Sequence, residues 1–468
     1  MKRILSLSGF PRLALASALV IGSHAQAQTS PYYIGLSQTL GYDSNVFRRD
    51  DRTITITNPA DPANPLVQTP ESSGLISQTS LVGGLDQRIG RQRVYLDGRV
   101  GYTSYADQSQ LDGPVYAIKG GVDWETAEHW SGTLALSASQ GPGPYQTRQF
   151  DDSSGAVTRV TGAKLTDNSE RAAFTARFGA ASTSSVWLEA DVVYDHLNRV
   201  SDFGPYQVGT AQWIGYREES TSTALSLIAR TQSSGALTLG AGLRSAQLNN
   251  TSGQKWADNV APANAPAPYV ADSRRNSIEL VADWVATGAS TLNAGLSFGQ
   301  VQYDSPSQGS DQRDWAAGLT WAWQATGKTS MTTRLYYDQV DRVNGFAPTG
   351  NYSGGDYYTS LLWTGRYIAT GKVSLDVSAG GVWRPFDSTL TSGTGRTGQK
   401  GNDTDVNLRL GVSYQALRNV SSGCAIGYTS HRSSGTLYAA PPTGQTQTSI
   451  ESTSTAYTPS CFVQIVLQ

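Results

Sequence analysis

Hydrophobic and polar residues alternate with a period of two along most of this chain. That is the pattern of strands whose successive side chains point to opposite faces. In 93–105 one face carries Val94, Leu96, Gly98, Val100 and Tyr102, and the other Tyr95, Asp97, Arg99, Gly101, Thr103 and Tyr105. In 406–414 the apolar set is Val406, Leu408, Leu410, Val412 and Tyr414, opposite Asn407, Arg409, Gly411 and Ser413. Segments 313–323 and 373–383 repeat the arrangement, with Trp315, Leu319, Trp321 and Trp323 on one face of the first. The apolar faces end in large aromatics, while the opposite faces mix charges with Gly, Ser and Thr. An apolar band rimmed by aromatics around a polar interior is the pattern of a barrel in a bilayer. Segments of about ten residues suit a tilted strand that crosses one.

The connections predict the same fold. About 18 strand candidates are joined by links that alternate short, as at 125–129, 231–235 and 415–419, with long, as at 48–73, 141–168, 249–273, 385–402 and 432–452. Short periplasmic turns and long extracellular loops characterise outer-membrane barrels. The expected fold is therefore an all-β, transmembrane, antiparallel up-and-down β-barrel. Residues 34–46 and 453–468 are its first and last strands, paired to close it, because hydrocarbon offers no water to an unpaired edge. Three short turns follow related sequences, Trp284 to Gly288, Trp323 to Gly327 and Tyr367 to Gly371, each ending Ala-Thr-Gly. The spacing places Trp284, Trp323 and Tyr367 at the periplasmic membrane interface. The glycines are expected to supply a positive φ in the turns.

Composition narrows the class. The 468 residues are 38% hydrophobic, 15% charged and 9% aromatic, with 49 Gly and 2 Cys. That is too ordered for a disordered chain and too polar for a helical membrane bundle. A net charge of −2 gives no footprint for nucleic acid. At the amino terminus Lys2, Arg3 and Arg12 precede the apolar run Leu13–Ile21 and the triplet Ala25-Gln26-Ala27. This reads as a secretory signal peptide over 1–27, cleaved after Ala27, followed by a barrel over 28–468. The location implied is the outer membrane of a Gram-negative bacterium.

Candidate chemistry lies on the polar face. Parity points Tyr95, Asp97, Arg99, Tyr105, Lys119, Asp123, Arg171, Arg177, Glu189, Asp191, Arg230 and Arg244 into the lumen. It does the same for Glu279, Asp283, Asp314, Arg334, Tyr336, Tyr358, Arg366, Asp376, Arg384 and Arg409. Guanidinium forks suit carboxylates and phosphates, and inward tyrosines suit sugar rings. The same charges also serve as a salt-bridged lining. Cys424 and Cys461 fall in the last two strands on the apolar faces, and an oxidising periplasm favours a disulfide between them. Gly393-Thr-Gly395-Arg-Thr-Gly398 opens no helix, and Gly327-Lys328-Thr329 lacks its upstream glycine, so neither is a nucleotide site. His24, His129, His196 and His431 belong to no catalytic motif. No enzyme activity, metal or cofactor is expected.

Gly41-Tyr-Asp-Ser-Asn-Val-Phe-Arg48 resembles the opening motif of the β-barrel porins of type two, which include EpsL-type exopolysaccharide outer-membrane proteins. The ending Cys461-Phe-Val-Gln-Ile-Val-Leu-Gln468, with Cys424 before it, resembles theirs as well. The resemblance implies a passive conduit for exopolysaccharide that works with a periplasmic polysaccharide-export protein. Outer-membrane lipids and the barrel-assembly machinery would be its other partners. The alternatives are a general or substrate-specific diffusion porin for small solutes, or a plugged surface scaffold or adhesin.

Overall fold

A computed structural model describes residues 30–48, 54–58, 61–68, 73–127, 129–142, 148–151, 157–160, 164–179, 186–208, 211–256, 269–304, 312–340, 351–353, 356–392, 395–440 and 446–467. The expected signal peptide lies outside the described residues. The strands are β1 (Tyr32–Asp43), β2 (Ile54–Asn58), β3 (Asp61–Gln68), β4 (Gly74–Ile89), β5 (Gln92–Tyr105), β6 (Gly113–Glu125), β7 (Trp130–Pro142) and β8 (Arg148–Asp151). They continue as β9 (Val157–Val160), β10 (Lys164–Phe178), β11 (Val186–Val208), β12 (Ala211–Gln232), β13 (Leu237–Trp256), β14 (Tyr269–Thr287), β15 (Ser290–Tyr303) and β16 (Gln312–Trp323). The last are β17 (Thr329–Val340), β18 (Asn351–Ser353), β19 (Asp356–Ile368), β20 (Val373–Ser392), β21 (Gly395–Leu417), β22 (Val420–Ala440) and β23 (Thr446–Leu467). The only helix among the described residues is one 3-10 turn, Ser109–Leu111.

Eighteen of these strands form a closed antiparallel barrel. The order runs β1, β4 to β7, β10 to β17, then β19 to β23, and β23 returns to β1. Leu36 lies opposite Ile465 and Leu40 opposite Cys461 across this seam. The pairs β2–β3 and β8–β9 are small separate hairpins, and β18 adds to β20.

The outward face is apolar. Leu225, Leu227, Leu243, Ile278, Phe298, Leu361, Leu410 and Val463 are all exposed on it. Such a surface all round a barrel is stable only where hydrocarbon covers it. Two aromatic girdles bound the band. Tyr32, Trp130, Trp284, Trp323, Tyr367 and Tyr414 stand near the end with short turns. Tyr102, Tyr194, Trp315, Trp383 and Tyr457 stand near the other end.

Several sequence expectations are corrected. The first strand stops at Asp43 rather than residue 46. Beyond it the chain turns inward: Asp43 Oδ1 accepts from Asn45 N at 2.9 Å, and Arg48 Nη1 lies 2.8 Å from the same oxygen. Asn45 Nδ2 donates to the Thr455 carbonyl at 3.1 Å, and Ser44 Oγ accepts from Tyr457 N at 2.8 Å. These bonds insert Val46 and Phe47 into a small apolar cluster with Tyr105, Leu111 and Leu165. The opening motif thus fastens β1 to β23 and fills one side of the barrel mouth.

The long links are also shorter than expected, because strands run through them. β13 continues to Trp256, β20 to Ser392 and β22 to Ala440, and β14, β21 and β23 begin earlier to match. Residues that read as loop-like are paired through their backbone in the ladder there. Finally, positive φ occurs at Gly90 and Gly179 among the described glycines, not at Gly288, Gly327 or Gly371. The threonine of each Ala-Thr-Gly shapes its turn instead. Thr326 Oγ1 accepts from Lys328 N and Thr329 N at 3.1 and 3.0 Å. Thr370 Oγ1 accepts from Lys372 N and Val373 N at the same distances. Thr287 Oγ1 accepts from Ala289 N at 3.3 Å. A hydroxyl that caps the backbone this way removes the need for left-handed φ.

Candidate functional site on the inner barrel wall

Register fixes which residues face inward, since directly opposed residues share a face. The strand parity of Tyr95, Asp97, Arg99, Lys119, Asp123, Arg171, Arg177, Glu189, Asp191, Arg230, Arg244, Glu279, Asp314, Arg334, Tyr336, Arg366, Asp376, Arg384 and Arg409 places them on that side. The side chain of Tyr358 lies outside the described residues. Tyr105 belongs to the apolar cluster of the mouth, only 6% exposed, so it offers no free ring for stacking. Tyr95 lies beneath the Arg93 guanidinium, 5.5 Å from ring centroid to Cζ.

The charges are not distributed evenly. From β10 to β17 they interlock across several strands. Glu189 is fully buried between two arginines: Arg177 Nε lies 2.6 Å from Oε2, and Arg230 Nη2 2.9 Å from Oε1. Arg230 then reaches two strands further, to Asp283 Oδ2 at 2.7 Å, and Asn293 Nδ2 donates to the other oxygen of Asp283. Asp191 accepts from Thr175 at 2.5 Å and Ser226 at 3.3 Å. Arg244 and Glu279 form a looser pair at 3.8 Å. Arg275 Nε lies 2.8 Å from Asp314 Oδ2, and its Nη1 3.5 Å from Asp338 Oδ1. Tyr336 donates to Asp338 Oδ2 at 3.0 Å. A concave wall lets long side chains on alternate strands meet, which sequence-adjacent pairing does not.

The arc from β17 through β19 and β20 to β21 differs. Arg334 is exposed and makes no hydrogen bond or ion pair among the described residues. Arg409, opposite Ser378, makes none either. Arg366 has only Asp376 Oδ1 at 3.7 Å and Ser374 Oγ at 3.3 Å. The inward positions around them include Ser330, Ser360, Ser378, Gly380, Gly411 and Ser413, with Leu362 directly opposite Arg334. The guanidiniums therefore stand among mostly small side chains. Higher on this arc Arg384 meets Asp405 at 3.1 Å, and His431 Nδ1 lies 2.7 Å from the same carboxylate. The β4–β6 wall is intermediate. Lys119 and Asp97 are 3.7 Å apart and both are largely exposed, while Arg93 is held by Asp86 at 2.7 Å. Asp123 accepts from Thr133 at 3.1 Å.

Above the band, Arg171 pairs with Asp195 at 2.7 Å. Arg199 holds both oxygens of Asp167 at 2.8 and 2.9 Å, and that hydrogen bonding raises the guanidinium pKa further. Asp195, Arg275 and Asp338 were not among the sequence candidates. The signal was available, since Arg275 shares parity with Glu279, Asp338 with Arg334, and Asp195 with Glu189. Cys424 and Cys461 are joined by a disulfide across β22 and β23 on the outward face, Cα to Cα 4.0 Å. Trp284, Trp323 and Tyr367 are outward and exposed beside their turns. His129 packs edge-on to Phe178, and His196 Nδ1 lies 3.1 Å from Thr221 Oγ1.

No family model matches the chain, and no curated protein does. Solved structures resemble the fold at low identity. A mutant of the ferric enterobactin receptor from Pseudomonas aeruginosa aligns over 94% of this chain and 81% of its own, with 10% identity and a TM-score of 0.43. The siderophore receptor PirA from Acinetobacter baumannii aligns over 94% and 81%, with 8% identity and a TM-score of 0.42. FpvA from P. aeruginosa, bound to heterologous pyoverdines, aligns over 93% and 72%, with 9% identity and a TM-score of 0.45. The expected membership of the type-two porin family is therefore corrected. No family model supports it. The exopolysaccharide conduit, its periplasmic export partner, and the diffusion-porin and scaffold alternatives are set aside with it. The closed barrel, the apolar outer face and its two aromatic girdles place this chain in the outer membrane of a Gram-negative bacterium.

Proposed function

We propose that this chain is an outer-membrane uptake barrel that captures an anionic, polar solute on the arginine-bearing arc of its inner wall. On this reading residues 1–27 are removed on export and 28–468 form the transmembrane barrel. The short turns face the periplasm, and the end with long strands opens outward as a vestibule. The observation that carries the reading is the contrast around the wall. Arg334 has no hydrogen bond or ion pair among the described residues, Arg409 has only the more distant charge of Asp376, and Arg366 has a weak pair, on a wall rich in Ser and Gly. Charge-assisted hydrogen bonds to carboxylate or phosphate oxygens would satisfy them. A guanidinium that only braced the wall would be paired, as Arg230 is.

The test uses citrate, a tricarboxylate, as the probe. Purified protein in detergent should bind labelled citrate saturably, and R334A and R409A should each weaken binding roughly tenfold or more, as charged hydrogen bonds of about 1.5–3 kcal/mol imply. Non-saturable binding, or equal binding by the variants, would overturn the proposal.

A further inference from the structure

We infer that the outward surface of β14–β16, just beyond the aromatic girdle, is a docking site for the phosphate of a phosphorylated membrane lipid. The register builds this surface row by row. Ile278, Phe298 and Trp315 lie side by side across the three strands, and Trp315 stacks on Tyr337 at 4.2 Å between ring centroids. Phe298 and Trp315 are both exposed, so this row is the upper edge of the apolar band. Aromatic rings of this kind sit at headgroup level.

The next outward row is Asn276, Gln300 and Arg313, and the one beyond it Arg274 and Gln302. All five side chains are exposed. Neither Arg274 nor Arg313 makes a hydrogen bond or ion pair among the described residues. Asp272 and Asp304 stand one step further from the band on the same face, and no ion pair joins them to either arginine. Two guanidiniums and three carboxamides therefore face the headgroup layer with no carboxylate of the described residues in contact. Another outward cation is held differently. Arg217 on β12 is paired with Glu219 at 3.0 Å and donates to Asn198 at 3.3 Å.

The occupant follows from position. Groups at this height meet lipid headgroups before any soluble molecule. The headgroup chemistry that satisfies two forked donors is a phosphate, with glycan or ester oxygens available to the amides. A basic surface at a bilayer is attracted to anionic lipid, and each cation adds to that attraction. The inference does not depend on what passes through the interior.

Full-length protein in detergent would be mixed with diphosphorylated lipid A or its dephosphorylated form, and retained lipid counted by native mass spectrometry. Wild type is expected to retain the phosphorylated lipid preferentially, and R274Q/R313Q to retain it on the order of tenfold less. R217Q should match wild type, and R274K/R313K should keep most of the retention. Equal retention of the two lipids by wild type would overturn the inference, as would undiminished retention by a folded R274Q/R313Q. Displacement of the lipid by inorganic phosphate at matched concentration would also overturn it, since that result describes a soluble-anion site. The comparison of the two lipids on wild type decides the matter even if the double variant does not fold.

Discussion

The two sides of the inner wall use the same residue types for opposite ends. Along β10–β16 the inward arginines are paired with carboxylates, Arg230 and Arg275 with two each, and Glu189, Arg230 and Asp338 of β17 are almost wholly buried. Along β17–β21 arginines of the same parity stand over serine and glycine with few partners. The difference lies in their neighbours. A long acid two strands away turns a guanidinium into a strut, whereas small residues leave it facing water. Charge alone does not distinguish a lining from a binding surface; the reach of opposing side chains does.

The largest expected effect breaks the braced side. Arg230 holds Glu189 and Asp283 together, so Arg230→Ala leaves a fully buried carboxylate with Arg177 alone and frees Asp283 from its cation. Removing one partner of a buried pair costs about 3–5 kcal/mol. Arg334→Ala removes an exposed side chain with no partner and should stay within about 0.5 kcal/mol. Urea unfolding of both variants in detergent micelles measures the contrast. Equal losses would mean that the arginine arc is as braced as the other side.

The outward disulfide comes next. Cys424 and Cys461 are 37 residues apart and bridge directly opposed positions of β22 and β23, beside the closing seam with β1. Closing a loop of that size in the unfolded chain stabilises the fold by about 2–4 kcal/mol. Cys424→Ala/Cys461→Ala should therefore lower the unfolding midpoint less than Arg230→Ala does, and should leave citrate binding unchanged. A change in citrate binding would connect the seam to the arc, which lies on neighbouring strands.

The barrel was legible because alternation is a local property. The parity of Trp315, Trp321 and Trp323 assigns a face with no knowledge of partners, and the alternation of link lengths implies a meander. Strand ends were harder. Polar residues such as Asn249 and Asn250 read as loop, yet they lie in the β13 ladder opposite Asp272 and Ala271. Above an apolar band a strand needs no hydrophobic face, so periodicity fades while hydrogen bonding continues. Partner choice was not legible at all. Arg230 meets Asp283 and Arg275 meets Asp338 because the wall curves, and curvature leaves no local mark. The Asp43–Arg48 segment carried a family resemblance by its letters, while its bonds to Thr455 and Tyr457 are those of a latch.

The smallest effect sharpens the same contrast through packing. Gly242, inward on β13 in the braced half, has no room for a side chain. A Cβ there would lie 2.2 Å from the Leu227 carbonyl oxygen and 2.8 Å from Ile228 Cα. Both are backbone atoms held by the β12–β13 ladder, so the strands themselves must shift. Gly380, inward on β20 in the arginine arc, would place a Cβ 2.7–3.1 Å from the Asn407 side-chain amide. That amide is the far end of a side chain that rotates into the lumen. Gly242→Ala should therefore destabilise by about 1–3 kcal/mol, the usual cost of overpacking, and Gly380→Ala by less than about 0.5 kcal/mol. Urea midpoints of the two variants, read beside wild type, provide the measurement. If Gly380→Ala is as costly as Gly242→Ala, the floor beneath the arginines is rigidly packed, and a bound solute would have to fit it rather than displace Asn407.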